Sequence, residues 1–149
     1  MVISYDSIIG AFLAKISEFD LLQLSDENKE AVCDGFLHRA VSYFRKNCKY
    51  DFTSSFDDTE REFTIEVDES DTDELIEIIS EGMIVQWLKP YVNKQENLEN
   101  ALSTRDYSVY SPAELLLRVC NRYKSAQDDF TQYIREYSYN HNDLTKLHS

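Results

Sequence analysis

The stretch from Leu75 to Leu88 constrains the fold more than any other part of this chain. Leu75, Ile76, Ile78, Ile79, Met83, Ile84, Val85, Trp87 and Leu88 leave little room for a polar face. A helix apolar on most sides belongs at the centre of other helices. Asp71, with Glu74 three residues on, is placed to cap it. Lys89-Pro90 is expected to end it, because proline lacks an amide donor and disfavours helical geometry in the residue before it. Only three Gly and two Pro occur in 149 residues, so hairpin signals are few and a mostly α class follows.

The flanking sequence supplies partners for this central helix. A first helix is expected over about Tyr5 to Leu22, with Ile8, Ile9, Phe12, Leu13, Ile16 and Phe19 on one face. A second starts at Ser25, Asp26 and Glu27 and carries Val32, Phe36, Leu37, Ala40, Val41 and Phe44 toward Asn47, making an antiparallel pair with the first. Asn93 to Leu102 reads as a shorter helix, and Thr104 to Tyr110 as a connection. The last helix opens with Ser111 as cap, Pro112 at the first helical position and Glu114 where a capping box needs its carboxylate. Leu116, Val119, Tyr123, Ala126, Phe130, Tyr133 and Tyr137 then recur three and four apart, a narrow seam for packing along another helix. Beyond it, Tyr137-Ser138-Tyr139-Asn140-His141-Asn142-Asp143-Leu144 loses helix propensity, so 138–149 reads as an extended arm. The expectation is one domain over 1–149 with about five helices. It carries an acidic, extended insert at 48–70 in which Phe63, Ile65 and Val67 alternate with Thr64 and Glu66, which reads as a short strand in need of a partner or an extended arm.

Charge is concentrated in that insert and the start of the central helix. The formal charge is -13, and residues 48–81 hold thirteen acids against two bases, while 82–149 are balanced at eight and eight. Such a balance argues against a general grip on nucleic acid phosphates. The acidic window admits three readings: a solvated mobile loop, a surface that repels DNA, or a decoy for a DNA-binding partner.

Few residues suggest reaction chemistry. Gly10, Gly35 and Gly82 are isolated within helical patterns and form no phosphate loop. Cys33, Cys48 and Cys120 are odd in number and outside any C-x-x-C pair, which fits reduced thiols rather than a disulfide framework. His38, His141 and His148 show no metal-ligand spacing, and Cys33 and His38 lie about 140° apart on a helix, poor geometry for a nucleophile and its base. Asp68 to Asp73 lacks the glycine and closing glutamate of a calcium loop. No cofactor, metal or catalytic set is expected. Arg118 and Arg122 flank the last helix's seam, where they can pair with acids of a neighbouring helix or subunit. The start, Met1 to Asp6, has no basic signal region, and no run reaches the roughly 18 apolar residues of a membrane span, so a soluble, unprocessed chain is expected.

The order of elements resembles a known family. A helical pair, an acidic insert, a very apolar helix ending Trp87-Leu88-Lys89-Pro90, a short helix and a capped long helix ending Tyr137-Ser138-Tyr139-Asn140-His141-Asn142-Asp143-Leu144 resemble the head-tail connector (neck or adaptor) proteins of tailed bacteriophages. The resemblance implies a virion protein, assembled in the host cytoplasm. Its subunits would form a ring, often of twelve copies, between the portal and the tail, a stopper or the next connector, with DNA passing through the ring unbound. It also implies that Tyr137, Tyr139, Asn140, Asn142, Leu144 and Leu147 form a portal-binding arm. Asp57, Asp58, Glu60, Glu62, Glu66, Asp68 and Glu69 would line the channel or meet the next ring. The competing reading is an acidic regulatory or anti-host protein that binds a basic partner as a DNA decoy; an enzyme comes third.

Overall fold

The computed structural model describes residues 2–17, 19, 29–45, 48–94, 98–99, 102 and 111–141, and among these residues it has four helices and two very short strands. In chain order they are α1 (Tyr5–Ser17), α2 (Lys29–Phe44), β1 (Phe56–Asp57), β2 (Glu62–Phe63), α3 (Glu69–Asn93) and α4 (Pro112–His141). The fold is mostly α. The end expected for the first helix beyond Phe19, the start expected for the second, half of the short helix expected over Asn93 to Leu102 and the connection before Ser111 lie outside the described residues.

Helix α3 is the centre, and it packs on α1, α2 and α4. Every residue from Ile78 to Leu88 is buried, which is why its sequence has no wet face. Gly82 sits at the tightest point: a Cβ there would come within 2.8 Å of the Phe130 ring on α4 and 3.0 Å of the Ala40 Cβ on α2. The missing side chain lets three helices meet. Trp87 is flanked edge-on by Phe12 and Phe19, with ring centroids 6.1 and 6.0 Å away.

Helix α3 differs from expectation at both ends. It runs through Pro90 to Asn93, where the Lys94 amide donates to the Pro90 carbonyl at 3.3 Å. Near the end of a helix, proline removes one hydrogen bond and leaves only one turn to follow it. At the start, Asp68 holds the cap position, with no side-chain cap bond. Asp71 lies inside the first turn and is buried because it serves the insert: its carboxylate accepts from the Tyr50 hydroxyl at 2.8 Å and lies 3.0 Å from Lys49 Nζ.

The insert is a wedge, not an extended arm. Phe52 and Phe63 are fully buried, with rings 4.8 Å apart, and Val67 joins the same core. Burying each phenylalanine contributes about 1.5–3 kcal/mol, enough to hold a short segment in place. The strand read at 63–67 is confined to Glu62–Phe63 and pairs antiparallel with Phe56–Asp57, Phe56 opposite Phe63. Its other edge meets the beginning of the chain: the Phe63 amide donates to the Ile3 carbonyl, the Tyr5 amide to the Arg61 carbonyl, and Ser4 bridges Glu62.

Helix α4 begins as its sequence requires. The Glu114 amide donates to Ser111 Oγ and the Ser111 amide to the Glu114 carboxylate, both at 3.3 Å, a reciprocal capping box. Its buried seam is Leu115, Val119, Ala126, Phe130 and Tyr137; the expected Leu116, Tyr123 and Tyr133 flank it, half-buried. On α2, Cys33 takes the core place expected of Val32, which is 40% exposed. The helix also continues through Ser138, Tyr139 and Asn140, so the first part of the expected arm is helical; residues 142–149 lie outside the described residues.

Candidate functional site

Two surfaces emerge, one acidic and one basic. The acidic surface is the turn between β1 and β2. Asp57 Oδ1 accepts from the amides of Thr59 and Glu60 at 3.2 and 3.1 Å and thereby closes the turn. Asp58 accepts from the Tyr5 hydroxyl at 2.8 Å, and His38 Nε2 lies 2.9 Å from the same oxygen. The His38 ring is itself stacked on Phe56, centroids 3.8 Å apart. These donors, Tyr5 first and His38 second, hold the Asp58 carboxyl below its usual range. Burial, with Asp58 adding to it, pushes the Tyr5 phenol well above its usual value.

Arg61 anchors the turn from below. Its guanidinium lies 2.6 Å from Asp6, 2.7 Å from Asp34 and 3.2 Å from Glu30, so one cation ties the hairpin to both α1 and α2. Its backbone holds φ 56, the left-handed region, which costs a residue with a side chain about 1–2 kcal/mol. Arg61 escaped the sequence reading. The available signal was its isolation, for it is one of two bases among thirteen acids.

The seven acids proposed from sequence therefore fall into two groups. Asp57, Asp58, Glu60 and Glu62 belong to the hairpin, with Asp58 and Glu60 exposed and Asp57 and Glu62 half-buried. Glu66, Asp68 and Glu69 are exposed on the approach to α3, Asp68 lying 3.8 Å from Lys49 Nζ.

The residues proposed as a portal arm divide more sharply. Tyr137 is fully buried, its ring packed on Phe44 at 5.2 Å and its hydroxyl accepting from the Cys48 thiol at 3.7 Å. It is a core residue and cannot act as an arm. Tyr139 is 84% exposed and Asn140 is exposed beside it, while Asn142, Leu144 and Leu147 lie outside the described residues.

The basic surface was not foreseen. A groove of about 600 Å³ runs between α2, α3 and α4, walled by Tyr43, Lys89, Tyr123, Phe130, Arg135 and Tyr139. A second hollow shares Tyr43, Gln86 and Lys89 and adds Arg39, Pro90 and Asn93. Lys89 Nζ lies over the Tyr43 ring at 5.9 Å, and Tyr43 is 56% exposed. Among the described residues, neither hollow has an Asp or Glu in its wall. In a chain with 28 acids and 15 bases this is a marked local reversal.

Other polar groups are structural. Glu81, buried on α3, lies 2.9 Å from Lys15 on α1 and 3.7 Å from Arg122 on α4, which gives Arg122 its partner within the chain. Burial raises the Cys33 and Cys48 thiols, leaving them poor nucleophiles. Among the described residues, no group of three His, Cys, Asp or Glu is placed to hold a metal ion, and no helix is long and apolar enough to cross a membrane. No protein family, curated protein or solved structure matches this chain.

Proposed function

We propose that this protein is a non-enzymatic assembly subunit of a tailed bacteriophage neck, an adaptor that forms a ring between the portal and the tail or next connector. The reading takes the fold as a bundle of five helices, the segment after Asn93 supplying the fifth. The observation that carries it is the clamped acidic hairpin. A lining or a ring contact needs charges at fixed positions, and Arg61, Tyr5 and His38 hold this turn against the core. Many copies of Asp58 and Glu60 around a lumen would oppose phosphate adhesion and let DNA pass. The portal contact begins later than Tyr137: its described part is Tyr139 and Asn140, continued by the residues after His141.

Co-purification with a phage portal protein tests this reading. The intact chain is expected to bind and to give ring particles in electron micrographs, and a chain ending at His141 is expected to lose portal binding while keeping its fold. Normal portal binding by the shortened chain would overturn the arm assignment. Absence of portal binding by the intact chain, together with capture of a basic DNA-binding protein that charge-neutral hairpin variants abolish, would establish the decoy reading instead.

A further inference from the structure

Resting on the ring reading above, we infer that the basic groove receives the acidic hairpin turn of a second copy of this chain. The two surfaces match in charge. The groove and its neighbouring hollow present Arg39, Lys89 and Arg135, and among the described residues no acid stands in their walls. The turn presents Asp58 and Glu60 to solvent, while the guanidinium of Arg61 is directed inward to Asp6, Asp34 and Glu30.

The hairpin is already held in one conformation, so docking it costs little ordering entropy. The groove offers exposed tyrosines at its rim, Tyr43 and Tyr139, which supply contact area with few rotatable bonds. A nucleic acid is a poorer occupant, because the rest of the molecule is strongly acidic.

The arrangement also dictates the kind of assembly. The hairpin touches α2 at His38, and the groove touches it at Tyr43. Five residues along a helix turn about 140°, so the two surfaces occupy different faces of α2. Complementary surfaces on different faces produce head-to-tail association, which continues to a closed ring or an open chain rather than stopping at a symmetric pair.

Sedimentation of the purified full chain over a range of concentrations tests the inference, using two variants whose changes are on the surface. Lys89→Glu with Arg135→Glu reverses the groove, and Glu60→Lys reverses the turn. The parent is expected to associate beyond a dimer, each variant alone to weaken association by about tenfold or more, and an equal mixture of the two to recover it, since each supplies the surface that the other lacks. Unchanged circular dichroism and melting establish that both variants fold. A parent that stays monomeric, or variants that associate as the parent does, would overturn the inference. Portal co-purification of the same samples reports separately on the adaptor reading, which stands if the parent binds portal despite failing to associate in this way.

Discussion

The Phe130 ring occupies the space into which a side chain on Gly82 would project, 2.8 Å from the place of its Cβ. Alanine favours a helix interior by about 1 kcal/mol over glycine, yet overpacking costs about 1–3 kcal/mol. Gly82→Ala is therefore expected to lower stability by up to about 2 kcal/mol, and Gly82→Val by more. Urea denaturation checks this; a Gly82→Ala variant more stable than the parent would show that α4 can withdraw at no cost.

Tyr137 separates the core role from the arm role by chemistry. Tyr137→Phe keeps the ring against Phe44 and loses the contacts of the hydroxyl, with the Cys48 thiol and the Lys49 backbone among them, so a loss of about 0.5–1.5 kcal/mol is expected. Tyr137→Ala opens a cavity and should cost about 3–5 kcal/mol. Equilibrium unfolding of both variants measures the difference, and an alanine variant as stable as the parent would contradict the burial.

Arg61 combines a favourable side chain with an unfavourable backbone. Both Arg61→Ala and Arg61→Gly remove the contacts to Asp6, Asp34 and Glu30, but only glycine relieves the left-handed conformation. The glycine variant should be more stable than the alanine variant by about 1 kcal/mol, although both fall below the parent. Equal stabilities would mean that the turn rearranges once the guanidinium is lost.

Acid should loosen the hairpin through Asp58. Its folded pKa is depressed, first by Tyr5 and then by His38, so its contribution is present above the unfolded value near 3.9 and disappears as pH falls through the folded value. Asp58→Asn should be less stable than the parent at neutral pH, with the gap closing on acidification. Urea midpoints measured from neutral to strongly acidic pH check the sign. At the alkaline end, burial raises Tyr5 and Tyr137, so their stabilising effect is present below the usual phenol value and is lost as pH climbs through their raised values. Unfolding in alkali should coincide with tyrosinate absorbance.

Local signals were legible where the partners are local. The Ser111–Glu114 capping box is written within four residues, and it forms. The central place of α3 follows from its own composition. Asp71 has the spacing of a cap but serves Tyr50, which lies 21 residues earlier, and nothing in a capping pattern reports that. A stop is expected at Pro90 because its local preference is strong, while the helix continues with Tyr91 and Val92 packed partly buried against the core. The insert lacks a helical period and so suggests an extended segment, while the signal of the wedge is its pair of phenylalanines, Phe52 and Phe63, both buried.

The candidate surfaces were half legible. The acids stand in one run of sequence, so their concentration could be counted, but the clamp on them comes from Tyr5, Asp6, Glu30, Asp34 and His38 in two earlier helices. The groove draws Tyr43, Lys89 and Arg135 from three helices, and no single segment carries a pattern that foretells it.

The backbone pairing of Ile3 and Tyr5 with Phe63 and Arg61 sets an order on synthesis at the ribosome. Ile3 and Tyr5 are made well before Arg61 and Phe63 and have to wait for them before their carbonyl and amide find these partners. Until then α1 emerges with its leading edge unpaired, a period in which a nascent chain is open to chaperones and to mispairing with other unfinished chains.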